Sequence, residues 1–349
     1  MDKLKIVLKA LIFFVIGIFI FQILTLIFVP KWLGRIDPAT PRWQEFYSQE
    51  KDSIDVALVG ASDVGRGLSP ITLWKEYGIT SFNLGTSNQT MGFAYYVIKE
   101  AIEQQNVGMV VLDMDALFVK VNAPEGEYRK LFDNIKLGKN KIEAIQDPGL
   151  EIEDKMSYIV PLMRFHSRWD KLERQDFKIN KKYEKFNSYK GMAISNNVKP
   201  YIDKKKYMEN KGETEKIPEK NQRYVEEIVK LCKERKIKLL MIEIPSASSW
   251  SYARGKATSE LAKEHEIEFI DMNSLQEEMQ FNWLTDTADK GNHLNVIGAE
   301  KVSRYLGKIL SEKYECTDHR NDYRYLNWEE ETSRYERDKD KLNIKKIKK

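Results

Sequence analysis

Cysteine is nearly absent. The chain has only Cys232 and Cys316, far apart and with no CxxC pair. That excludes a disulfide-built scaffold and argues against a structural zinc site. Cys232 falls in a helical pattern and reads as a small buried hydrophobe. An excess of one charge is missing too: 57 basic residues face 53 acidic ones for a net charge of +4. The one concentrated basic run is the tail, residues 343–349. A nucleic-acid binder shows a basic stripe, so nucleic acid is not an expected partner. The tail reads as solvated or resting on anionic polymer or lipid headgroups. Histidine is scarce, with four in 349 residues, so any search for a catalytic base is short.

Charge is absent from one long stretch, Ala10 to Val29, which is about one bilayer thickness of helix. Lys3, Lys5 and Lys9 precede it, and Lys31 and Arg35 follow. The positive-inside bias and the lack of a small-x-small cleavage site predict an uncleaved anchor over residues 1–30, with the remainder outside the cytoplasm. Residues 31–51, with Pro30, Pro38 and Pro41 breaking any helix, read as a linker.

Beyond it the texture alternates. Short apolar strands are expected at 54–59, 81–84, 108–114, 237–244 and 267–272. Helices are expected at 70–77, 89–105, 222–235, 259–264 and 295–312. Near-continuous apolar strands are those buried on both faces. The pattern predicts an α/β fold, a doubly wound and mostly parallel sheet, in two parts at 52–115 and 220–312. Residues 116–219 lack strand-like runs and read as a helical insertion capping the site. Residues 313–349 read as a charged C-terminal tail whose last part frays.

Three loops carry chemistry. Val59-Gly60-Ala61-Ser62-Asp63-Val64-Gly65 follows a buried strand, and ligands bind at the carboxyl ends of such strands. Ser62 there presents its hydroxyl to the cleft, and its own N–H can face an oxyanion. A dinucleotide fingerprint would need glycine at position 62, and Gly65-Arg66-Gly67 is not a phosphate-binding Walker loop. In Asn83-Leu84-Gly85-Thr86-Ser87-Asn88, Gly85 permits close backbone approach and Asn88 could offer its amide to an oxyanion. Ser87 or Asn88 could equally cap the next helix. In Asp289-Lys290-Gly291-Asn292-His293-Leu294-Asn295, His293 is the one histidine beside acids in a Gly/Asn loop. A serine hydroxyl needs such a base, and the base needs an orienting acceptor. Asp289 is the first candidate for that acceptor, Asp286 the second, and a Ser-His dyad stays open. Asp113 and Asp115 share one face of an extended segment. Asp113 is expected to close its strand and hydrogen-bond around the cleft rather than hold a metal.

These segments resemble the SGNH, or GDSL-like, hydrolase superfamily, whose blocks place a Ser after the first strand, then a Gly, an Asn and a late Asp-x-x-His. Ser62, Gly85, Asn88 and His293 match in order. The first block is Gly-Ala-Ser-Asp-Val, not Gly-Asp-Ser, and Lys290 stands where the acid would be. The chain looks most like membrane-anchored Gram-positive members: the D-alanine-transfer protein of teichoic acids and polysaccharide O-acetylation proteins. Phe165-His166-Ser167-Arg168-Trp169 looks like a segment recurring in their insertions, and His166 and Arg168 are candidate binders of an anionic substrate group. The resemblance implies an SGNH/flavodoxin-like fold and an extracytoplasmic serine esterase or O-acyltransferase. Its substrate would be an acylated cell-envelope glycan or acyl carrier. No cofactor or metal is implied, and a membrane-bound O-acyltransferase is a conceivable partner. The alternative is an inactive SGNH-like protein that binds envelope polysaccharide or such an acyltransferase.

Overall fold

The computed structural model describes residues 2–30, 39–120, 123–178, 188–202 and 207–347. Five parallel strands form the central sheet: β1 (Val56–Val59), β2 (Ser81–Asn83), β3 (Met109–Asp113), β6 (Lys238–Glu243) and β7 (Glu268–Asp271). Their order is β2-β1-β3-β6-β7. The chain runs outward from β1 to β2, then returns past it to β3, so the order reverses beside β1. That reversal opens a crevice at the carboxyl ends of β1 and β3.

Alternation along the strands divides the core in two. Ala57, Val59, Val110, Leu112 and Met241 face one cluster, and Val56, Leu58, Val111, Leu240 and Ile242 face the other. The helices are α1 (Asp2–Phe28), α2 (Ala39–Tyr47), α3 (Ser62–Gly67), α4 (Pro70–Tyr77), α5 (Met91–Gln105), α6 (Glu125–Phe132), α7 (Lys139–Gln146), α8 (Lys155–Ile159), α9 (Leu162–Phe165), α10 (Glu219–Arg235), α11 (Tyr252–Glu264), α12 (Val296–Glu312) and α13 (Leu326–Ile347). Helices α5, α10 and α11 pack on the first face, while α4 and α12 pack together on the second. This is the expected doubly wound α/β sheet. Each of the five expected strands is present, shortened by a residue or two at its ends. Cys232 is buried in α10 and both cysteines are free.

Three segments differ from expectation. Part of the linker, residues 39–47, is helix α2, with Trp43 and Phe46 almost wholly buried. Pro41 does not break it because it lies in the first turn, where the missing N–H has no helical partner to lose. The rest of that segment, residues 31–38 with Pro38, lies outside the described residues. Much of the tail is helical, forming α13 as far as Ile347, and residues 348–349 lie outside the described residues. Trp328 stacks on Trp74 with ring centroids 5.3 Å apart, and Tyr335 is buried, so two aromatics seven residues apart dock an otherwise charged helix. The insertion also contains strands. Ser188–Tyr189 (β4) and Met192–Ala193 (β5) form a hairpin through Lys190 (φ 51°) and Gly191 (φ 90°). Both central residues have positive φ, as a tight hairpin turn requires.

The insertion's helices flank α5 rather than forming a simple lid. Phe93 of α5 meets Tyr128 and Phe132 edge-on, and Phe132 meets Tyr158. The stretch that touches the His293 loop is the extended segment after the hairpin. Lys199 N–H donates to the Thr287 carbonyl at 3.1 Å, and Val296 N–H donates to the Ser195 carbonyl at 2.7 Å.

Candidate active site

Ser62 opens α3 directly after β1. Ala61 is extended, so Ser62 is the first helical residue and its N–H has no intrahelical acceptor. The same turn leaves the side chain partly exposed at the carboxyl end of the sheet.

His293 arrives from a loop held on several sides. Ala288 N–H donates to the His293 carbonyl at 2.8 Å, Gly291 N–H donates to Thr287 Oγ1 at 2.7 Å, and Ala247 N–H donates to the Gly291 carbonyl at 2.8 Å. Asn295 closes the loop as the N-cap of α12, accepting from Ile297 and Gly298 N–H at 3.1 Å each. The outcome is a chain of three side chains. His293 Nε2 lies 2.9 Å from Ser62 Oγ, and His293 Nδ1 lies 2.6 Å from Asp289 Oδ2. Asp289 Oδ1 also accepts His293 N–H at 2.6 Å. With the carboxylate at Nδ1, that nitrogen carries the proton and Nε2 offers its lone pair to the serine.

Asp289 is suited to the orienting role. Burial works against its charge, but hydrogen bonds from the His293 ring and backbone, with the charges of His293 and of Arg66, outweigh it. Its pKa falls below the ordinary carboxylate value. Arg66 Nη1 stands 3.7 Å from Asp289 Oδ2. Asp286, the second candidate, is engaged elsewhere. It is fully buried, pairs with Lys301 at 2.8 Å and accepts from Asn282 and Thr285. Of the other histidines, His319 meets Asp55, His166 meets the Met163 carbonyl, and His265 follows the end of α11.

The oxyanion side differs from expectation. Gly85 packs tightly under the nucleophile helix, where an added Cβ would lie 2.5 Å from Gly65 N and 2.8 Å from the Ala61 carbonyl oxygen. Yet Gly85 N–H donates to Asn83 Oδ1 at 3.0 Å, so it is already committed. Asn88 is exposed with φ 52°, and neither it nor Ser87 caps the next helix. Thr90 does so, its hydroxyl accepting from Phe93 N–H at 3.4 Å. Of the three expected donors, the Ser62 N–H is the one left in position.

Asn83 ends β2 and opens the same loop. It is fully buried, and its Nδ2 donates to the Val64 carbonyl at 2.6 Å and the Leu68 carbonyl at 2.8 Å. One side chain thus ties the nucleophile helix to the Gly85 loop.

His166 and Arg168 are not joined to this group. Arg168 donates to the Phe28 carbonyl at the end of α1 and to Asp176 Oδ2 at 3.0 Å. Their expected contact with substrate has no support in these positions.

Below the nucleophile lies a layer of acids. Asp113 closes β3 as expected, its Oδ2 accepting from Ile244 N–H at 3.3 Å. Burial and the Asp115 charge push its pKa up to about 8. Asp63 is raised well above the usual range by burial and by Asp115, Asp113 and Asp289. Glu243 is raised likewise by burial and neighbouring acids, and neither of its buried oxygens has a hydrogen-bond partner among the described residues. Burial and mutual repulsion both favour the protonated form of these three carboxyls. Among the described residues, no cluster of three or more His, Cys, Asp or Glu is disposed to hold a metal ion.

No family model matches the chain, and no curated protein matches it. Solved structures do. One described as an acylhydrolase, from Bacteroides fragilis, is 13% identical with a TM-score of 0.36, covering 77% of this chain and 93% of its own. A GDSL-like lipase from Bacteroides thetaiotaomicron is 12% identical with a TM-score of 0.35, covering 77% of this chain and 95% of its own. A gut microbial diltiazem-metabolizing enzyme is 16% identical with a TM-score of 0.26, over 76% of this chain and 48% of its own. At such scores the fold stands on the chain's own strand order, and the chemistry on the Ser62–His293–Asp289 geometry.

Proposed function

We propose that the protein is an SGNH-type serine esterase or O-acyltransferase acting outside the cytoplasm on an acylated envelope glycan or acyl carrier. The observation that carries this is the unbroken chain from Ser62 Oγ through the imidazole to Asp289, with links of 2.9 and 2.6 Å. Those are hydrogen-bond distances, and the base faces an alcohol at a helix start beside the crevice.

In the proposed reaction, Ser62 Oγ attacks an ester carbonyl as His293 Nε2 takes its proton. The Ser62 N–H faces the carbonyl oxygen as it gains charge. His293 then protonates the leaving alcohol, leaving an acyl-serine. Water or a sugar hydroxyl, deprotonated by His293, releases the acyl group. The substrate class is what the family resemblance implies; α1, long and apolar enough to cross a membrane, supports it, since an anchor would hold the site near envelope polymers. Lys3, Lys5 and Lys9 before the apolar run favour an extracytoplasmic domain.

A second reading is a binding protein without turnover, favoured by the engagement of Gly85 N–H with Asn83 and the exposure of Asn88. A fluorophosphonate probe separates the two. The enzyme reading expects an adduct on Ser62 in the folded chain, lost in Ser62→Ala and strongly slowed in His293→Ala. A folded chain that takes up no probe at Ser62 sinks it in favour of binding.

A further inference from the structure

The lower end of α1 is not free of the rest of the chain. Helix α9 and the 3₁₀ turn His166–Asp170 pack against it. The Arg168 guanidinium reaches the Phe28 carbonyl. The last carbonyls of a helix have no intrahelical donors, and a cation there also meets the negative end of the helix dipole. Arg168 is fixed in turn by Asp176 at 3.0 Å. The insertion is thereby pinned at the depth where the charge-free run ends, since Phe28 and Val29 are its last residues.

This pinned segment leaves apolar side chains unburied. No residue of α9 or of the 3₁₀ turn is buried by the protein. Trp169, next to Arg168, is 73% exposed; Phe177, next to Asp176, is 57% exposed; and Met163, whose carbonyl accepts from His166, is 50% exposed. Isolated exposed hydrophobics are ordinary, but Trp169 and Phe177 flank one ion pair at the end of an apolar helix, and Met163 lies on the helix packed beside it. Exposed Lys171, Arg174 and Lys178 follow in the same stretch. Tryptophan and long basic side chains favour the boundary between acyl chains and headgroups.

We propose that α9, the 3₁₀ turn and the Asp176–Phe177 bend form a foot seated in the interface of the bilayer that α1 crosses. Met163, Trp169 and Phe177 enter the acyl boundary, and Lys171, Arg174 and Lys178 reach lipid phosphates. Two attachments, α1 and the foot, then fix the orientation of the Ser62 crevice on the membrane, where one helix alone would let the domain swivel. The inference rests on α1 being a membrane anchor and is independent of the acyl chemistry.

The test uses the full chain in phosphatidylcholine–phosphatidylglycerol vesicles carrying tail-brominated lipid. Trp169→Phe is expected to remove a component of the bromine-quenched tryptophan emission, and the same component should be shielded from acrylamide in the wild type. Equal bromine quenching in wild type and Trp169→Phe overturns the foot. Shielding from acrylamide without bromine quenching also overturns it, in favour of a protein covering the patch. Carbonate extraction keeps the two failures apart. A chain retained in the membrane with unchanged quenching loses the foot alone, whereas a chain released by carbonate loses the anchor and the foot together.

Discussion

The two sides of the Ser62 crevice are built differently. On the base side, Ser62, His293 and Asp289 are aligned, and the loop that carries His293 and Asp289 is hydrogen-bonded to β6's following loop, to Thr287 and to α12's cap. On the oxyanion side, Gly85 N–H is held by Asn83 and Asn88 points away into solvent with a left-handed backbone. The first side is preorganised for proton transfer. The second offers the Ser62 N–H and needs the Gly85 loop to shift before it can offer more. Substrate binding would have to supply that shift.

The base side should therefore fail most sharply. Ser62→Ala and His293→Ala are each expected to lower ester turnover by about 10⁴-fold or more, because members of such a unit act together. Asp289→Asn should cost roughly 10²- to 10⁴-fold in kcat with KM little changed, since the amide no longer fixes the tautomer that aims Nε2 at the serine. The wild-type Asp289 pKa is held low, so this carboxylate stays charged into the acidic range and its protonation does not set the acid limit of activity. Steady-state kinetics on an aryl ester would check all three. An Asp289→Asn enzyme with wild-type kcat would leave a Ser-His dyad and remove the preorganised side of the comparison.

The oxyanion side separates into two asparagines. Asn83→Ala takes the Asn83 partner from the buried Leu68 carbonyl and the Gly85 N–H, while the Val64 carbonyl keeps the Leu68 N–H, at roughly 1–3 kcal/mol per unsatisfied group. Its melting temperature should fall by several degrees and the nucleophile helix should loosen. Asn88→Ala should change stability and ester hydrolysis less than about threefold, whereas a working oxyanion donor typically contributes a hundredfold or more. A hundredfold loss in Asn88→Ala would mean that the loop closes onto substrate and brings Asn88 in.

Legibility followed the same division. The five strands announced themselves as apolar runs between Gly and Pro, and the scarcity of histidine singled out His293. Asp289 sits four residues before His293 instead of three, and the tight loop through Lys290 (φ 67°) and Gly291 (φ 89°) takes up the extra residue. Sequence spacing could not show that. It could not show the Asn83 hydrogen bonds either, because they depend on α3, which follows the parallel neighbour β1, placing Val64 and Leu68 beside the end of β2. Helices α2 and α13 were hidden for another reason. Each is docked by two or three aromatics, Trp43 and Phe46 in one and Trp328 and Tyr335 in the other, inside a polar sequence where local composition favours a loop. The hairpin at Lys190-Gly191 lacked the Asn-Gly pair that usually marks such turns.

The smallest expected effect concerns the acids beneath the crevice, which belong to neither side. Asp113, Asp63 and Glu243 all have folded pKa values above their ordinary ones. Between the unfolded value near 4 and the folded value, the folded chain binds more protons than the unfolded chain, so stability falls as pH rises through that window. For Asp113 the window closes at about 8. Glu243→Gln keeps the shape and stays neutral at every pH. It should leave the melting temperature at pH 5 nearly unchanged, raise it at pH 8, and leave ester turnover at pH 5 within about twofold, as expected of a group remote from the reacting atoms. Thermal melts of the full chain at the two pH values decide it. If the variant keeps the wild-type loss of stability between pH 5 and pH 8, Glu243 is not among the groups held neutral by burial. The acid layer would then have to carry charge under Ser62, and the Ser62 N–H would face an oxyanion against a negative floor.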